Sequence, residues 1–210
     1  MIRVLIADDH ALVRDGLKRM LESTPDIRVV GEAETGDQVL AAVVAERPDV
    51  VVLDVAMPGQ GFLEILRVLR EGHPRIHTVV LSAHAEEEYA ERALKAGAVG
   101  YVTKERTPDD LQEAIRRAAR GVRYISETLA QHLAAHLTGD VARPHHESLS
   151  DREFQVLQLL GQGRSVKEIG AALELSPKTI STYRERILEK LALKTTADLI
   201  RYAVQHGIAE

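Results

Sequence analysis

Five polar residues in the first half of the sequence have types that suit phosphoryl chemistry: Asp8, Asp9, Asp54, Ser82 and Lys104. Three carboxylates gathered in one place repel one another unless a cation joins them, and oxygen ligands with room for water suit Mg²⁺. A carboxylate beside that metal can act as a nucleophile on phosphorus. A lysine and a hydroxyl can then bind the phosphoryl oxygens. The set predicts an aspartyl-phosphate site with Mg²⁺, provided that the fold brings the residues together.

The elements between these residues predict that it does. Five short runs rich in Val and Ile have the character of buried strands, and stretches with helical spacing follow each of them. The predicted strands are Arg3–Ala7, Ile27–Glu32, Val50–Leu53, Thr78–Leu81 and Val99–Val102. The predicted helices are His10–Glu22, Gly36–Glu46, Phe62–Arg70, Glu86–Lys95 and Pro108–Arg120.

This alternation predicts a doubly wound, flavodoxin-like α/β domain with a five-stranded parallel sheet covered on both faces. In such a sheet, ligands bind at the carboxyl ends of the strands. The five polar residues fall at the carboxyl ends of four of the predicted strands. A less specific reading stays open for each residue alone, with the aspartates capping strand ends, Ser82 capping a helix and Lys104 solvated.

The pattern changes after Gly121. Residues 122–147 are predicted to be a linker that contains one helix, Thr128–Leu137. Residues 148–210 have no strand signal and predict an all-α domain of four helices, so the predicted domains are 1–121 and 148–210. The four helices are Asp151–Leu160, Val166–Leu173, Pro177–Leu191 and Ala197–His206. Ser150 and Ser176 are predicted to cap two of them.

The second and third of these helices, joined by a short turn, form a predicted helix-turn-helix. On the longer helix Ile180, Ile187 and Leu191 lie within roughly 20° of one line and are expected to face the core. The rest of the helix offers groups for base edges and phosphates. These groups are Lys178, Thr179, Ser181, Thr182, Tyr183, Arg184, Glu185, Arg186, Lys190 and Lys194. Glu185 could accept from cytosine or be solvated, and a protein-interaction module with a charged face is the alternative.

Composition limits the class of protein. The net charge of −5 is uneven, because residues 148–210 carry 9 Lys/Arg against 8 Asp/Glu and the remainder carries 18 against 24. The absence of cysteine excludes disulfides and thiolate chemistry. Asp8 and Asp9 interrupt the first apolar run, and no run approaches the roughly 20 residues that span a bilayer. We therefore expect a cytoplasmic protein with no membrane partner.

Four segments of the first 120 residues resemble, in order and spacing, the receiver domain of bacterial two-component response regulators. They are residues 6–10 (IADDH), 52–58 (VLDVAMP), 81–83 (LSA) and 97–104 (GAVGYVTK). The resemblance implies that Asp54 accepts phosphate from a sensor histidine kinase and that Tyr101 is a switch side chain. The implied ligands are Asp9, Asp54, the Ala56 carbonyl and, through water, Asp8 for Mg²⁺, and Ser82 and Lys104 for the phosphoryl group.

Some positions depart from the receiver pattern or adjoin it. Phe62 stands where the family often has Gly, which raises the question of how the loop after Asp54 is shaped. Glu105 stands where many receivers have Pro, so no cis-proline is expected. His84 and Ala56 are expected to influence dephosphorylation. His10 is expected to begin the first helix, with a role in a phosphorelay as the alternative.

The last 63 residues resemble the LuxR-type output domain through residues 149–153 (LSDRE), 167–169 (KEI) and 175–180 (LSPKTI). The two domains together resemble response regulators of the NarL/FixJ type, and residues 176–184 (SPKTISTYR) are similar to the GacA/UvrY branch. The resemblance implies homodimers when phosphorylated, binding to double-stranded DNA and regulation of transcription, with RNA polymerase a possible partner. The last helix is expected to supply a dimer contact through Ala197, Leu199, Ile200 and Ala203.

Two further function classes stay open. A phosphatase of the haloacid-dehalogenase kind also uses an Asp nucleophile, Mg²⁺ and a Lys, but its first strand ends in a D-x-D motif. Here Asp8 and Asp9 are adjacent, so we expect no enzyme with an external substrate. A DNA-binding protein with a degenerate receiver is the other class, and the intact acidic set argues against it.

Overall fold

The computed structural model of the protein describes residues 1–82, 86–138, 145–173 and 175–208. The chain divides into two compact units, Met1–Leu133 and Ala134–Glu210. No helix among the described residues has both the length and the apolar character that crossing a membrane requires.

The first unit contains a five-stranded parallel sheet with the order β2-β1-β3-β4-β5. Its strands are β1 (Ile2–Ala7), β2 (Ile27–Ala33), β3 (Val50–Asp54), β4 (His77–Ser82) and β5 (Gly100–Thr103). Every residue of β3 is buried, because a central parallel strand is covered on both faces. The chain winds outward from β1 in both directions, so a crevice opens between the carboxyl ends of β1 and β3. The predicted fold is confirmed.

Five helices flank the sheet: α1 (Ala11–Glu22), α2 (Gly36–Glu46), α3 (Phe62–Gly72), α4 (Glu86–Ala96) and α5 (Pro108–Ala118). Their observed ends lie within two residues of the predicted ends. The residues that begin these helices explain two of the starts. Thr35 accepts a hydrogen bond from the Gln38 N–H at the start of α2, and Thr107 forms a capping box with Asp110 at the start of α5.

The chain after α5 adds a short bridge to the edge of the sheet. The Tyr124 N–H donates to the Val99 carbonyl at 2.8 Å, and the Tyr101 N–H donates to the Tyr124 carbonyl at 3.4 Å. The Tyr124 hydroxyl donates to Asp110 at 3.0 Å. The first residues of the predicted linker are therefore bonded to β5 and α5. A helix follows, α6 (Glu127–Thr138).

The second unit is helical. A 3₁₀ turn (His145–Ser148) precedes α7 (Asp151–Gly161), α8 (Val166–Ala172), α9 (Pro177–Lys190) and α10 (Thr196–Gln205). Ser150 and Ser176 cap α7 and α9, as predicted. Phe154, Leu157 and Ile169 are among the buried core residues. Residues 139–144 of the predicted linker and Glu174, between the second and third predicted helices, lie outside the described residues.

Candidate phosphorylation site and candidate DNA-binding surface

The structure places the five predicted polar residues at one edge of the sheet. Asp8 and Asp9 follow β1, Asp54 and Ser82 are the last residues of β3 and β4, and Lys104 follows β5. The backbone N–H of Lys104 donates to the Ser82 carbonyl at 2.7 Å, which joins the ends of β4 and β5. The parallel register therefore brings together residues that lie up to 96 positions apart in the sequence.

Lys104 lies between two buried carboxylates. Its Nζ is 2.8 Å from Asp8 Oδ2 and 3.2 Å from Asp54 Oδ1. Asp8 is 1% exposed and Asp54 is 3% exposed, whereas a quarter of the Lys104 side chain is open to solvent. One ammonium thus bridges the ends of β1 and β3 and compensates two charges that would otherwise be costly to bury.

Burial and charge act against each other at this pair. Burial raises the pKa of Asp54; the charge of Lys104 opposes that rise, and the charge of Asp8 adds to it. Burial alone would lower the pKa of Lys104, but its hydrogen bond to Asp8 and the charges of Asp54 and Asp8 together raise it. Lys104 is therefore a protonated cation at neutral pH.

The turn after β1 is held by several hydrogen bonds. Asp8 Oδ1 accepts from the His10 N–H at 2.8 Å, and Arg14 Nη1 donates to the Asp8 carbonyl at 2.7 Å. His10 is the N-cap residue of α1, and its Nδ1 is 2.8 Å from Asp9 Oδ1. Asp8, Asp9 and His10 offer three possible ligand atoms within 4.8 Å of one another. Sequence reasoning placed His10 at the helix start but missed its contact with Asp9, and it missed Arg14 altogether.

The residues of this site fit a divalent metal. Asp8, Asp9 and Asp54 carry three negative charges and Lys104 one positive charge, which leaves two negative charges for a cation to balance. The donors are carboxylate oxygens, the ligands that Mg²⁺ prefers. Asp9 and Ala56 are exposed at the edge of the crevice.

One residue of β4 and one of β5 that the sequence predicted for the site are fully buried. Ser82 and Tyr101 are both 0% exposed, and Tyr101 pairs in register with Val80 of β4. Tyr101 therefore lies inside the unit in this structure. His84 and Ala83 lie outside the described residues.

The loop after Asp54 does not need a glycine at position 62. Phe62 is the first residue of α3, is 7% exposed and packs on the Tyr89 ring with centroids 6.1 Å apart. The positive φ of the loop, +85°, falls on Gly59, where a Cβ would lie 2.6 Å from Asp37 Oδ2. The left-handed backbone of this loop, which favours glycine, therefore falls at Gly59 and not at position 62, where Phe62 packs in the core.

The helix-turn-helix is formed by α8 and α9. Gly170 of α8 lies so close to the turn that a Cβ there would be 2.8 Å from the Leu175 carbonyl oxygen. Ile180 and Ile187 are 0% exposed and Leu191 is 5% exposed, which confirms their predicted place in the core. The residues on the opposite side are exposed, namely Lys178, Thr182, Glu185, Arg186 and Glu189.

Several of the predicted DNA contacts have partners within this unit. Lys190 Nζ donates to Glu153 Oε2 at 2.6 Å and to the Ser148 carbonyl at 3.3 Å. Ser181 and Thr182 donate to backbone carbonyls one turn earlier. The Thr179 hydroxyl lies 2.8 Å from the Ser176 hydroxyl. Lys190 therefore stabilises the domain through an ion pair that the sequence did not predict.

Arg184 differs from these residues. Its Nε is buried and has no hydrogen-bond partner among the described residues. Tyr183 beside it is partly buried, and Lys194 beyond the helix is exposed. The cations of this surface without an ion-pair partner in the described part of the chain are Lys178, Arg184, Arg186 and Lys194.

The expected dimer contact on α10 was wrong for two of its four residues. Leu199 and Ala203 are 0% exposed because they pack inside the unit. Ala197 is exposed, Ile200 is partly buried, and Val204, which was not predicted, is 57% exposed. The helix therefore has two apolar sides: the one with Leu199 and Ala203 packs in the core, and the one with Ala197, Ile200 and Val204 faces outward.

A buried histidine at the start of the unit was also missed. His146 is 4% exposed, and its Nδ1 lies 3.0 Å from the Tyr202 hydroxyl. Its ring contacts those of Phe154 and His206. His146 falls within the predicted linker, residues 122–147, but in the structure it packs against residues of α7 and α10.

Comparisons with known proteins match both units. Residues 4–116 match the family model of the response regulator receiver domain, and residues 147–203 match that of bacterial regulatory proteins of the luxR family. Response regulator GacA of Pseudomonas aeruginosa is 41% identical over 213 residues, which cover 100% of this chain and 99% of that protein. Response regulator UvrY of Escherichia coli K12 is 37% identical, with coverage of 99% and 96%.

A solved structure matches nearly the whole chain. RcsB from Salmonella enterica serovar Typhimurium, bound to promoter rprA in the presence of the phosphomimetic BeF₃⁻, is 28% identical with a TM-score of 0.72. The match covers 97% of this chain and 99% of that one.

Proposed function

Since this chain belongs to the two-component response regulators that carry a LuxR-type DNA-binding domain, we propose that phosphorylation of Asp54 by a sensor histidine kinase controls its binding to promoter DNA. The observation that carries the proposal is the position of Lys104 between the buried carboxylates of Asp8 and Asp54. A buried carboxylate beside a fixed cation, at the carboxyl edge of a doubly wound sheet, is suited to accept a phosphoryl group.

The phosphoryl transfer uses the residues around Asp54. An Asp54 oxygen forms a bond to phosphorus while the bond from phosphorus to the donor histidine nitrogen breaks, and the electron pair stays on that nitrogen. Mg²⁺, held by Asp9, Asp54 and the Ala56 carbonyl with Asp8 acting through water, would neutralise charge on the carboxylates and phosphoryl oxygens. Lys104 moves its hydrogen bonds from the carboxylates to the phosphoryl group.

The phosphorylated domain then switches between two states through Ser82 and Tyr101. The Ser82 hydroxyl binds a phosphoryl oxygen, and the side chain of Tyr101 adjusts to the new position of Ser82. The surface made by α4, β5 and α5 then favours homodimers. The outward residues of α10, Ala197, Ile200 and Val204, supply a second symmetric contact.

Two helix-turn-helix domains would then bind paired half-sites on double-stranded DNA. The exposed side of α9 reads bases, and Lys178, Arg184, Arg186 and Lys194 contact phosphates. RNA polymerase is a possible partner at the promoter. The promoter-bound RcsB structure, which contains a phosphomimetic, supports this order of events by similarity. No external substrate is turned over, and the aspartyl phosphate is the only covalent product.

The experiment measures phosphorylation and DNA affinity together. The protein is incubated with Mg²⁺ and acetyl phosphate, its intact mass is measured, and its Kd is determined for a duplex selected from a random-sequence pool. We expect one added phosphate, tighter DNA binding, and loss of both in Asp54→Asn. Tighter binding of Asp54→Asn after the same treatment would contradict the proposal. Turnover of a general phosphate ester would favour the phosphatase alternative.

A further inference from the structure

A buried arginine joins the acidic turn to the neighbouring strand. Arg14 of α1 is 6% exposed, and its Nη1 donates to the Asp8 carbonyl at 2.7 Å. Its Nη2 binds the Glu34 carboxylate, and its Nε lies 3.6 Å from Glu32 Oε2. Burial of a guanidinium is costly unless it is paired with a negative charge. Glu32 and Glu34, at the end of β2, supply that charge, which allows Arg14 to stay buried beside the Asp8 carbonyl.

The carbonyl that Arg14 binds lies between the two carboxylates of the turn. It belongs to the planar peptide that joins Asp8 to Asp9, so its orientation fixes the direction in which the chain enters Asp9. The Asp8 side chain is held independently, by the His10 N–H and Lys104 Nζ. The Asp9 side chain is 30% exposed and contacts His10, whose own side chain is 68% exposed, so the Asp9 carboxylate depends on the backbone for its position.

We propose that Arg14 is a positioning residue for the metal, because it holds the Asp8–Asp9 peptide so that both carboxylates face one Mg²⁺. This inference rests on the proposed function, since it assumes that the site binds Mg²⁺. The arginine acts through the peptide and touches neither the metal nor the phosphoryl group. Residues that orient metal ligands in this way commonly contribute about 10–100-fold to metal affinity.

Charge and position predict opposite effects for this residue. Removal of a nearby positive charge would tighten binding of a cation if charge alone mattered. Loss of the hydrogen bond to the peptide would weaken binding, because the carboxylates would have to be ordered by the metal itself. The sign of the change in Mg²⁺ affinity therefore separates the two roles.

The matched control is Lys18. Its Nζ binds Glu32 Oε1 at 2.8 Å, so Lys18→Gln removes a cation from one of the same glutamates without touching Asp8. Arg14→Gln removes both the charge and the hydrogen bond. Arg14→Lys keeps the charge but loses the planar fork that reaches the carbonyl and Glu34 together.

The experiment measures Mg²⁺ alone on the full chain by isothermal titration calorimetry, with thermal unfolding in the absence of Mg²⁺ as the check on folding. We expect Kd to rise about tenfold in Arg14→Gln and to stay within about twofold in Lys18→Gln. Arg14→Lys should lie between them and serves if Arg14→Gln does not fold. With acetyl phosphate, the Mg²⁺ concentration for half-maximal phosphorylation should rise while the rate at saturating Mg²⁺ changes little.

An unchanged or lower Kd in a folded Arg14 variant would overturn the inference, and so would a wild-type protein that binds no Mg²⁺. A wild-type protein that binds Mg²⁺ but gains no phosphate contradicts the proposed function instead. In that case the calorimetry still decides the role of Arg14.

Discussion

The ammonium of Lys104 compensates the buried charges of Asp8 and Asp54, but it does not fully offset the cost of burying Asp54. Asp54 is almost completely buried, and burial raises its pKa although Lys104 opposes that rise. A carboxyl that binds its proton more tightly in the folded than in the unfolded state makes stability fall as pH rises between the two pKa values. Asp54, the proposed phosphoacceptor, is therefore held in its buried place at some expense of folding stability.

This predicts that Asp54→Asn stabilises the protein. At pH 7 without Mg²⁺, the variant should unfold at a higher temperature than wild type, because the amide cannot ionise. The difference should shrink as pH falls below the folded pKa of Asp54, where wild type is also neutral at this position. Thermal unfolding followed by circular dichroism at several pH values is the measurement.

The control for this prediction is Asp15→Asn, which removes an exposed carboxylate from α1 and should leave the unfolding temperature unchanged. Mg²⁺ should raise the unfolding temperature of wild type more than that of Asp54→Asn. A lower unfolding temperature for Asp54→Asn at pH 7 would show that the ion pair with Lys104 outweighs burial.

At the scale of elements, the bridge at Tyr124 ties the chain after α5 to the strand that carries Tyr101. The backbone of Tyr124 is hydrogen-bonded to Val99 and to Tyr101. The Tyr124 hydroxyl donates to Asp110, the residue that also completes the capping box of α5. The hydrogen bonds from Thr107 and Tyr124 lower the pKa of Asp110. The bridge thus depends on a side chain from a helix as well as on the sheet.

We expect Tyr124→Phe to loosen this edge without unfolding it. Loss of the hydroxyl bond should cost about 1 kcal/mol, so amide hydrogen exchange at Tyr101 and Tyr124 should accelerate about fivefold. Val122→Ala, which shortens a side chain that is 49% exposed, is the control and should leave these amides unchanged. Equal exchange rates in Tyr124→Phe and wild type would mean that the backbone bonds alone hold the bridge.

The elements also show what the sequence could and could not predict. The strand ends were predictable because each apolar run stops at a polar residue, and this was enough to locate Asp8, Asp54, Ser82 and Lys104. Contacts of Arg14 with Glu34 and of Lys190 with Glu153 join residues 20 and 37 positions apart, and no local pattern marks them.

Two other features, the buried side of α10 and the burial of His146, are decided by tertiary packing. On α10 the helical pattern identified apolar residues but not which side the core would use, so Leu199 and Ala203 were assigned to the wrong surface. His146 is polar and lies in a polar stretch, yet the rings of Phe154, Tyr202 and His206 surround it. Its burial follows from tertiary packing, which local composition does not report.

At the scale of the whole molecule, the charge is divided unevenly between the last 63 residues and the rest of the sequence. Residues 148–210 have a net charge of +1, from 9 Lys/Arg and 8 Asp/Glu, and the remainder has −6, from 18 and 24. DNA carries one negative charge about every 1.7 Å of its axis. The DNA-binding domain therefore has little net positive charge, and its affinity for DNA depends on how many of its cations reach phosphates.

The ion pair with Glu153 removes Lys190 from the five cations that the sequence predicted to contact DNA. Counterion release makes the number of remaining phosphate contacts measurable. Lys178, Arg184, Arg186 and Lys194 remain for phosphates in each domain, so a dimer would displace about eight condensed cations, and log Kd should change with log salt by a slope of about 7. Lys178→Gln should lower this slope by about 2, while Lys190→Gln should leave it unchanged and only destabilise the domain. The measurement is a DNA titration at several salt concentrations between about 50 and 200 mM. If the slope fell equally in Lys178→Gln and Lys190→Gln, Lys190 would have to leave Glu153 and bind a phosphate in the complex.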